Sequence, residues 1–251
     1  MRQPETIAGH SAGDGAFAAT HWSLVFRAAD FGSDARAAAA LEELCRAYWY
    51  PLYVFARRSG CDAGAAEDAT QEFFAELLQN DLLHRADPSR GRFRSFLIGA
   101  MKHHLTDTHR RAHTQRRGGG REFLSLDAAT PEERYRMEPA DDGASPEQVF
   151  DRRWAGTLLE RTLARLRREC DAEGRAERYD ELKVFLLPAA GQPGFPDTAR
   201  RLGMPETALK SAVHRLRERF RKLFRDEVSQ TVAAEEEIEN EMRYVVGMLA
   251  Q

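Results

Sequence analysis

The scarcity of β-branched aliphatic residues is the feature that most limits the folds open to this chain. Valine and isoleucine together supply 12 of the 251 residues, whereas alanine alone supplies 38. β-branched side chains favour strands and alanine favours helix, so this composition predicts an all-α protein. A chain of this length can form one large domain or two modest ones, each with its own core.

Membrane-spanning and disulfide-rich classes do not fit the sequence. No apolar run approaches the roughly 20 residues that a helix needs to cross a bilayer. Asp14 and neighbouring glycines interrupt the N-terminal segment, so we expect no signal peptide. The three cysteines, Cys45, Cys61 and Cys170, are scattered and form no CxxC pair. The scattered positions of the three cysteines exclude a cysteine-type zinc site and fit a reducing compartment, so we expect a cytoplasmic protein.

The sequence also lacks the signatures of catalytic and metal sites. His109 and His113 have a metal-ligand spacing for a helix, but no glutamate follows the first histidine and no cysteine accompanies them. We favour contact with phosphate or a base for these histidines. No catalytic triad, phosphate-binding glycine loop or paired-carboxylate site is recognisable. We therefore expect no catalytic residues, no metal ion and no cofactor.

The formal net charge of −3 conceals an uneven distribution. Residues 90–121 carry a net charge of +8 and residues 200–225 carry +7, while residues 1–89, 122–199 and 226–251 carry −6 each. Two basic blocks separated by acidic stretches are the electrostatic pattern of a nucleic-acid binder. Solvated helix faces are the alternative interpretation of such blocks.

Helical spacing of apolar residues runs through residues 20–117. A stripe from Leu41 to Trp49 predicts a helix with a break at Pro51, and another helix is predicted over residues 64–79.

After a loop at residues 80–92, a long helix begins at Phe93, with apolar residues on one face and basic residues on the other. Phe93 and Phe96 can each belong to the core or stack on a base, and the stripe position of Phe96 favours the core.

Composition divides the chain into five predicted segments. Three consecutive glycines from Gly118 and several prolines indicate a flexible linker. A phosphate-binding glycine loop is disfavoured because no strand precedes these glycines. The predicted segments are a disordered N-terminus (1–19), a helical domain (20–117), the linker (118–145), a second helical domain (146–225) and an acidic helical extension (226–251).

Residues 194–224 have the pattern of a helix-turn-helix. Phe195 and Leu202 lie on one face of a short helix, Gly203 can adopt the left-handed conformation that ends it, and Pro205 opens the next helix. That second helix has one apolar and one basic face. In a helix-turn-helix, such a helix contacts base edges near its N-terminus and phosphates further along. A plain helical hairpin is the alternative.

The Leu202-Gly203 turn and the run Lys210-Ser211-x-x-His214-Arg215 resemble region four of bacterial RNA-polymerase sigma factors of the extracytoplasmic-function (ECF) subfamily. In that family the element reads the minus-thirty-five part of a promoter. The resemblance implies these DNA-binding residues: Lys210, Ser211, His214, Arg215, Arg217 and Arg221.

A second resemblance lies in the first basic block and the helix before it. Asp68-x-x-Gln71-Glu72 is similar to the acidic helix of sigma region two, which implies that Asp68, Gln71 and Glu72 bind polymerase. The segment that begins Phe93-Arg94-Ser95-Phe96 resembles the next helix of that region, which melts and holds the minus-ten element. The implied minus-ten residues are Asn80, His84, Arg85, Arg92, Phe93, Arg94, Lys102, His103, Arg110 and Arg111.

Together these resemblances imply an ECF-type sigma factor with no catalysis of its own. Its implied partners are the RNA polymerase core and promoter DNA, with an anti-sigma factor as a further candidate. Two other interpretations remain open: a helix-turn-helix regulator that does not act through polymerase, and an arginine-rich RNA-binding protein.

The acidic extension lies outside the resemblance. Ile238, Met242 and Val245 have helical spacing, which predicts an amphipathic helix. We expect this helix either to fold back on a basic DNA-binding face or contact a regulator, and thereby restrain promoter binding, or to pack on the last domain as a solvated helix.

Overall fold

The computed structural model describes residues 35–79, 82–87, 89, 91–112, 130–137, 143–187, 191–232 and 234–250. Their helices are α1 (Ala35–Arg58), α2 (Ala63–Gln79), α3 (Phe93–Ala112), α4 (Pro131–Met137), α5 (Pro146–Ala172), α6 (Ala176–Leu182), α7 (Phe195–Arg201), α8 (Glu206–Ser229) and α9 (Ile238–Leu249). Short 3-10 turns occur at Leu83–Arg85, Lys183–Phe185 and Glu235–Glu237. This part of the chain contains no strand, which confirms the predicted all-α class. The predicted disordered N-terminus lies outside the described residues.

The helix break predicted at Pro51 is wrong. α1 continues from Ala35 to Arg58 with this proline inside it. Proline in a helix interior costs about 3 kcal/mol because it removes a backbone hydrogen bond and crowds the preceding turn. Every side chain from Leu52 to Ala56 is almost completely buried, and burial of one large apolar side chain contributes about 1.5–3 kcal/mol. Tertiary packing therefore outweighs the local cost.

The long helix predicted from Phe93 forms as α3. Leu97, Met101 and Leu105 on its apolar stripe are buried, and the half-buried Phe96 packs against the same core. α2 packs against both α1 and α3. The helical prediction for this part of the chain is confirmed because the periodic apolar face is the face that is buried.

A capping box starts α5. The Ser145 hydroxyl accepts a hydrogen bond from the backbone N–H of Gln148 at 3.3 Å, and the Gln148 side chain accepts one from the backbone N–H of Ser145 at 2.9 Å. Pro146 occupies the first helical turn, where its missing N–H costs nothing. This start sets the register in which Phe150 and Trp154 enter the core.

The largest apolar cluster is shared by both halves of the chain. Its members include Tyr48, Leu52, Phe55, Phe73 and Leu97 from the first half and Phe150, Trp154, Leu158, Phe224, Val228 and Val245 from the second. α5 lies along α1 and also contacts α8 and α9. The domain boundaries suggested by composition stay a prediction.

Part of the stretch predicted as a linker is helical. α4 lies within it, and Glu132 accepts hydrogen bonds from the Tyr53 hydroxyl at 2.6 Å and from Arg57 Nε at 3.0 Å. Burial alone would raise the pKa of Glu132, but these hydrogen bonds outweigh it and hold the pKa below its usual range. α4 is thereby attached to α1. Residues 118–129 and 138–142 lie outside the described part of the chain.

α7 and α8 are the two helices predicted for the helix-turn-helix segment, joined by a short turn at Gly203. Gly203 has φ of 60°, the left-handed conformation expected where α7 ends. α8 begins directly after Pro205 and buries Leu209 and Val213 in a small cluster with α7. Phe195 also stacks on Phe185 at a centroid distance of 4.6 Å. The turn is therefore held by apolar contacts on both sides.

The predicted amphipathic helix of the extension forms as α9. Ile238 and Val245 are buried, while Val246 is 52% exposed. α9 packs on α5 and α8. None of the described helices is long and apolar enough to span a membrane.

The shared core predicts that one residue of the second half stabilises the whole chain. Phe150 is fully buried in edge-to-face contact with Phe55 of α1. We expect Phe150→Ala to lower the free energy of unfolding by about 3–5 kcal/mol, because it leaves a cavity between α1 and α5. Urea unfolding followed by circular dichroism measures this change. The control is Arg168→Ala, at an exposed position of α5, and an equal effect of both substitutions would contradict the shared core.

Candidate nucleic-acid interface

The start of α3 brings together several residues implied in minus-ten binding, but not as an open basic surface. The side chain of Arg94 is only 4% exposed. Its Nε lies 3.2 Å from Asp151 Oδ1, and its two terminal nitrogens form ion pairs with Glu241 of α9. Its guanidinium also lies 4.3 Å from the ring centroid of Trp154 and 4.7 Å from that of Tyr244. Arg94 is therefore enclosed by two carboxylates and two aromatic rings.

Arg92 contacts the same acidic helix. Its Nη2 lies 2.8 Å from Glu241 Oε2, and its side chain is 37% exposed. Tyr244 lies beside both arginines and donates its hydroxyl hydrogen bond to Asp151 Oδ2 at 2.5 Å. Burial, together with that hydrogen bond, raises the pKa of Tyr244 to about 12. The hydroxyl therefore remains a donor at neutral pH and holds Asp151 in place.

The two phenylalanines at the start of α3 differ in exposure. Phe93 is buried in edge-to-face contact with Tyr48 at 5.5 Å and stacks on Phe96 at 5.9 Å. Phe96 is half-buried. Of the implied minus-ten residues, Phe93 thus lies in the core in this arrangement.

The remaining minus-ten candidates lie farther along α3 or in the loop before it. His84 and Arg85 are exposed on the 3-10 turn, and His103 is exposed on α3. Arg110 is exposed and lies 3.3 Å from Asp107. Asn80 and the side chain of Arg111 fall outside the described residues.

Lys102 forms an ion pair between α3 and α5. Its Nζ lies 2.5 Å from Glu147 Oε1. The hydrogen bond from Lys102 is the main reason why the pKa of Glu147 falls to about 2. A cation implied in DNA binding is therefore paired within the protein here, although it remains half exposed.

On α8, most of the implied minus-thirty-five residues form an exposed polar and basic face. Ser211, His214, Arg215 and Arg221 are exposed. Lys210 is exposed as well and pairs with Glu206 at 2.6 Å, one turn earlier. This face can meet the edge of a DNA groove, since the apolar residues of α8 point the other way into the core.

Arg217 has a different position from the rest of that set. Its side chain is half-buried, and its Nε donates a hydrogen bond to the carbonyl oxygen of Phe185 at 2.8 Å. This contact connects α8 to the 3-10 turn after α6. Arg217 thus supports the fold of the helix-turn-helix in this arrangement.

The residues implied in polymerase binding share one face of α2. Asp68 and Glu72 are exposed and Gln71 is half-buried, and the spacing places all three on neighbouring turns. One turn after Glu72 on the same face, Glu76 lies 2.8 Å from His104 Nδ1 of α3, and Glu72 itself lies 4.0 Å from His104 Nε2. The acidic surface is therefore fixed to α3 rather than carried on a free helix.

Four residues of this site were not predicted from the sequence: Asp151, Trp154, Glu241 and Tyr244. Helical spacing could have indicated part of the ion pair between Arg94 and Glu241. Arg94 stands three and seven residues before the buried Leu97 and Met101, so it shares their face. Glu241 stands three residues after Ile238 and four before Val245. Two opposite charges on two buried faces indicate an ion pair, but spacing alone does not say that the two faces meet.

A comparison with protein-family models matches residues 44–115 to sigma-70 region 2. The matched residues include α2 and α3 entire and the second half of α1. This match supports a sigma factor of the sigma-70 family, which binds RNA polymerase and melts promoter DNA. The family is a non-enzymatic class of transcription initiation factors. Searches of curated proteins and of solved structures gave no match to this chain.

The ion pair between Lys102 and Glu147 predicts a pH dependence of stability. Because the pKa of Glu147 is lower in the folded than in the unfolded chain, the pair stabilises the fold above the usual glutamate pKa of about 4.3. This contribution is lost as the pH falls towards about 2. We expect Glu147→Gln to be less stable than the wild type at pH 7 and the difference to narrow between pH 5 and pH 3. Urea unfolding at each pH measures it.

The control for this prediction is Glu177→Gln on α6, an exposed position. A difference between wild type and Glu147→Gln that stays constant over the whole pH range would contradict the assignment. Because both side chains are partly exposed, added salt should weaken the effect.

Proposed function

We propose that the chain is an ECF-type sigma factor that binds core RNA polymerase, recognises minus-thirty-five and minus-ten promoter elements and initiates transcription. The match of residues 44–115 to sigma-70 region 2 carries this proposal. Within those residues, α2 offers its exposed acidic face to polymerase, and α3 with the loop before it contacts the minus-ten element. The protein acts in the cytoplasm, where polymerase and promoter are found.

The helix-turn-helix supplies the second promoter contact in this proposal. α8 enters the major groove at the minus-thirty-five element with His214 and Arg215 on its exposed face. Lys210 lies nearer the N-terminus of α8, on the side of the base edges, and Arg221, further along the helix, meets a phosphate. The ECF assignment rests on the order of the two motifs along the chain and on the absence of a further helical domain between them in the sequence.

The distance between promoter elements determines how far apart the two predicted helical domains must lie on DNA. The elements lie about two helical turns apart, which is about 70 Å of duplex. α1 and α5 are packed together, so simultaneous contact with both elements requires them to separate. Because α4 lies within residues 118–145 and is bonded to α1 through Glu132, full extension also requires α4 to detach and unwind, after which 28 extended residues span about 90 Å. Core polymerase, or an anti-sigma factor in the inactive state, would cover the apolar faces.

Charge reversal on α2 tests polymerase binding. We expect Asp68→Lys/Glu72→Lys to abolish co-purification with core polymerase, because two carboxylates that meet basic residues of the clamp become cations. Pull-down with tagged protein measures this binding. The matched control is Glu67→Lys, an exposed acidic residue of the same helix outside the implied set.

Failure of the wild type to bind any core polymerase would overturn the sigma assignment. A protein that binds promoter DNA without core polymerase would instead be a helix-turn-helix regulator.

Two neighbouring arginines of α8 predict different results for DNA binding. We expect Arg215→Ala to weaken binding of duplex promoter DNA and to reduce the slope of log affinity against log salt by about 1, since an exposed cation and its released counterions are lost. Arg217→Ala should instead lower the free energy of unfolding by about 1.5–3 kcal/mol, because it loses a charged hydrogen bond to a backbone carbonyl.

Fluorescence anisotropy over a salt series, together with urea unfolding, measures both effects. An unchanged salt slope for Arg215→Ala would contradict its contact with DNA. Lys183→Ala, an exposed cation outside the implied set, is the control for nonspecific loss of charge.

A further inference from the structure

The buried cluster at the start of α3 joins the predicted minus-ten surface to the C-terminal helix. We infer that α9 is an intramolecular competitor of promoter DNA: the carboxylate of Glu241 occupies Arg92 and Arg94, and DNA gains these arginines only when α9 leaves. This inference rests on the proposed function, because it takes both arginines as promoter contacts.

The surroundings of Arg94 leave no room for a phosphate or a base. Trp154 and Tyr244 cover the guanidinium, while Asp151 and Glu241 take its polar edge. At 4% exposure, Arg94 is inaccessible to any ligand in this arrangement. Two of the four enclosing residues belong to α9, so release of this one helix exposes one side of the guanidinium, while Asp151 and Trp154 of α5 remain on the other side.

Glu241 is the residue that makes the contact specific. Its side chain is 0% exposed, and an unpaired carboxylate in such a place costs several kcal/mol. Arg92 and Arg94 together supply its ionic partners. A buried ion pair of this kind adds little net stability compared with an apolar pair, but removal of one partner leaves the other as an uncompensated buried charge. In this position α9 covers Arg94 and pairs with Arg92, which stays partly exposed.

The docking of α9 is limited enough to be reversible. Ile238 and Val245 are buried, whereas Val246 on the same helix is 52% exposed. In the described main core, Val245 is the one fully buried residue of α9, while Met242, Met248 and Leu249 pack against that core partly buried. A short terminal helix of this kind can open locally without global unfolding.

Charge makes α9 a suitable mimic of DNA. Residues 226–251 carry a net charge of −6, and besides Glu241 the exposed Glu239 forms an ion pair with Arg225 of α8. DNA phosphates are anions of the same sign and compete for the same guanidinium groups. The apparent affinity for DNA is then the intrinsic affinity multiplied by the fraction of molecules with α9 released.

The test compares Glu241→Gln in the whole chain with the wild type and with Glu236→Gln, a control at an exposed acidic residue of the 3-10 turn directly before α9. Each protein is assembled with bacterial core RNA polymerase and titrated with a fluorescein-labelled DNA fork that has an A/T-rich single-stranded overhang and no minus-thirty-five element, so that separation of α1 from α5 is not required. Glutamine keeps the size of Glu241 but removes the charge and replaces one acceptor oxygen with an NH2 donor. We expect Glu241→Gln to bind the fork at least about tenfold more tightly than the wild type, and Glu236→Gln to bind like the wild type.

Equal affinity of Glu241→Gln and the wild type would overturn the competition. An equal gain in Glu236→Gln would also overturn it, since general loss of negative charge would then explain the effect. If all three proteins bind core polymerase but none binds the fork, the assignment of Arg92 and Arg94 to DNA fails, and the inference fails with it. If none binds core polymerase, the proposed function itself fails.

A measurement on the wild type keeps the inference testable if Glu241→Gln does not fold. Hydrogen exchange of α9 is compared in the holoenzyme with and without the fork. Release of α9 predicts faster exchange of its amides when DNA is bound, while α5 stays protected. Unchanged protection of α9 in the DNA-bound protein would overturn the inference.

Discussion

The packing of α5 against α1 holds the other helices of the described structure in place. Phe150 and Trp154 fill the space beside Tyr48 and Phe55, and the same helix then supports α8 and α9. Because apolar burial supplies most of the driving force for folding, this pair of helices fixes where every charged surface lies. The helix-turn-helix, the acidic face of α2 and the start of α3 are all positioned by it.

Several cations of the first basic block form ion pairs within the protein. Arg92, Arg94 and Lys102 each meet a carboxylate from the second half of the chain. A cation that binds nucleic acid when it is exposed needs an acidic partner when it is buried, because an unpaired buried charge is strongly destabilising. The acidic extension supplies such a partner in Glu241. Opposite charges that cancel in the net charge of the chain are thus also paired with each other in the structure.

The helices were predictable because the apolar periodicity of α3 and α8 is strong and their faces are buried as the spacing indicates. The turn at Gly203 was predictable because few residues other than glycine adopt its φ readily. The continuation of α1 through Pro51 was not, since the local penalty is visible in the sequence and the burial that outweighs it is not. The helix α4 within a proline-containing acidic stretch was missed for the same reason: Glu132 has its partners 75 and 79 residues away.

Composition and apolar periodicity were enough to predict the helical class, and the order of residues shows the two basic blocks, because these are local properties. The residues implied in contact with DNA or polymerase came from a resemblance and stay a prediction. Which of them are accessible depends on the packing of the helices. Arg215 and Arg94 look alike in sequence, each in a basic helix, yet one is exposed and the other is enclosed by Trp154 and Glu241. The difference arises from contacts between residues as far as 147 positions apart, which no local pattern encodes.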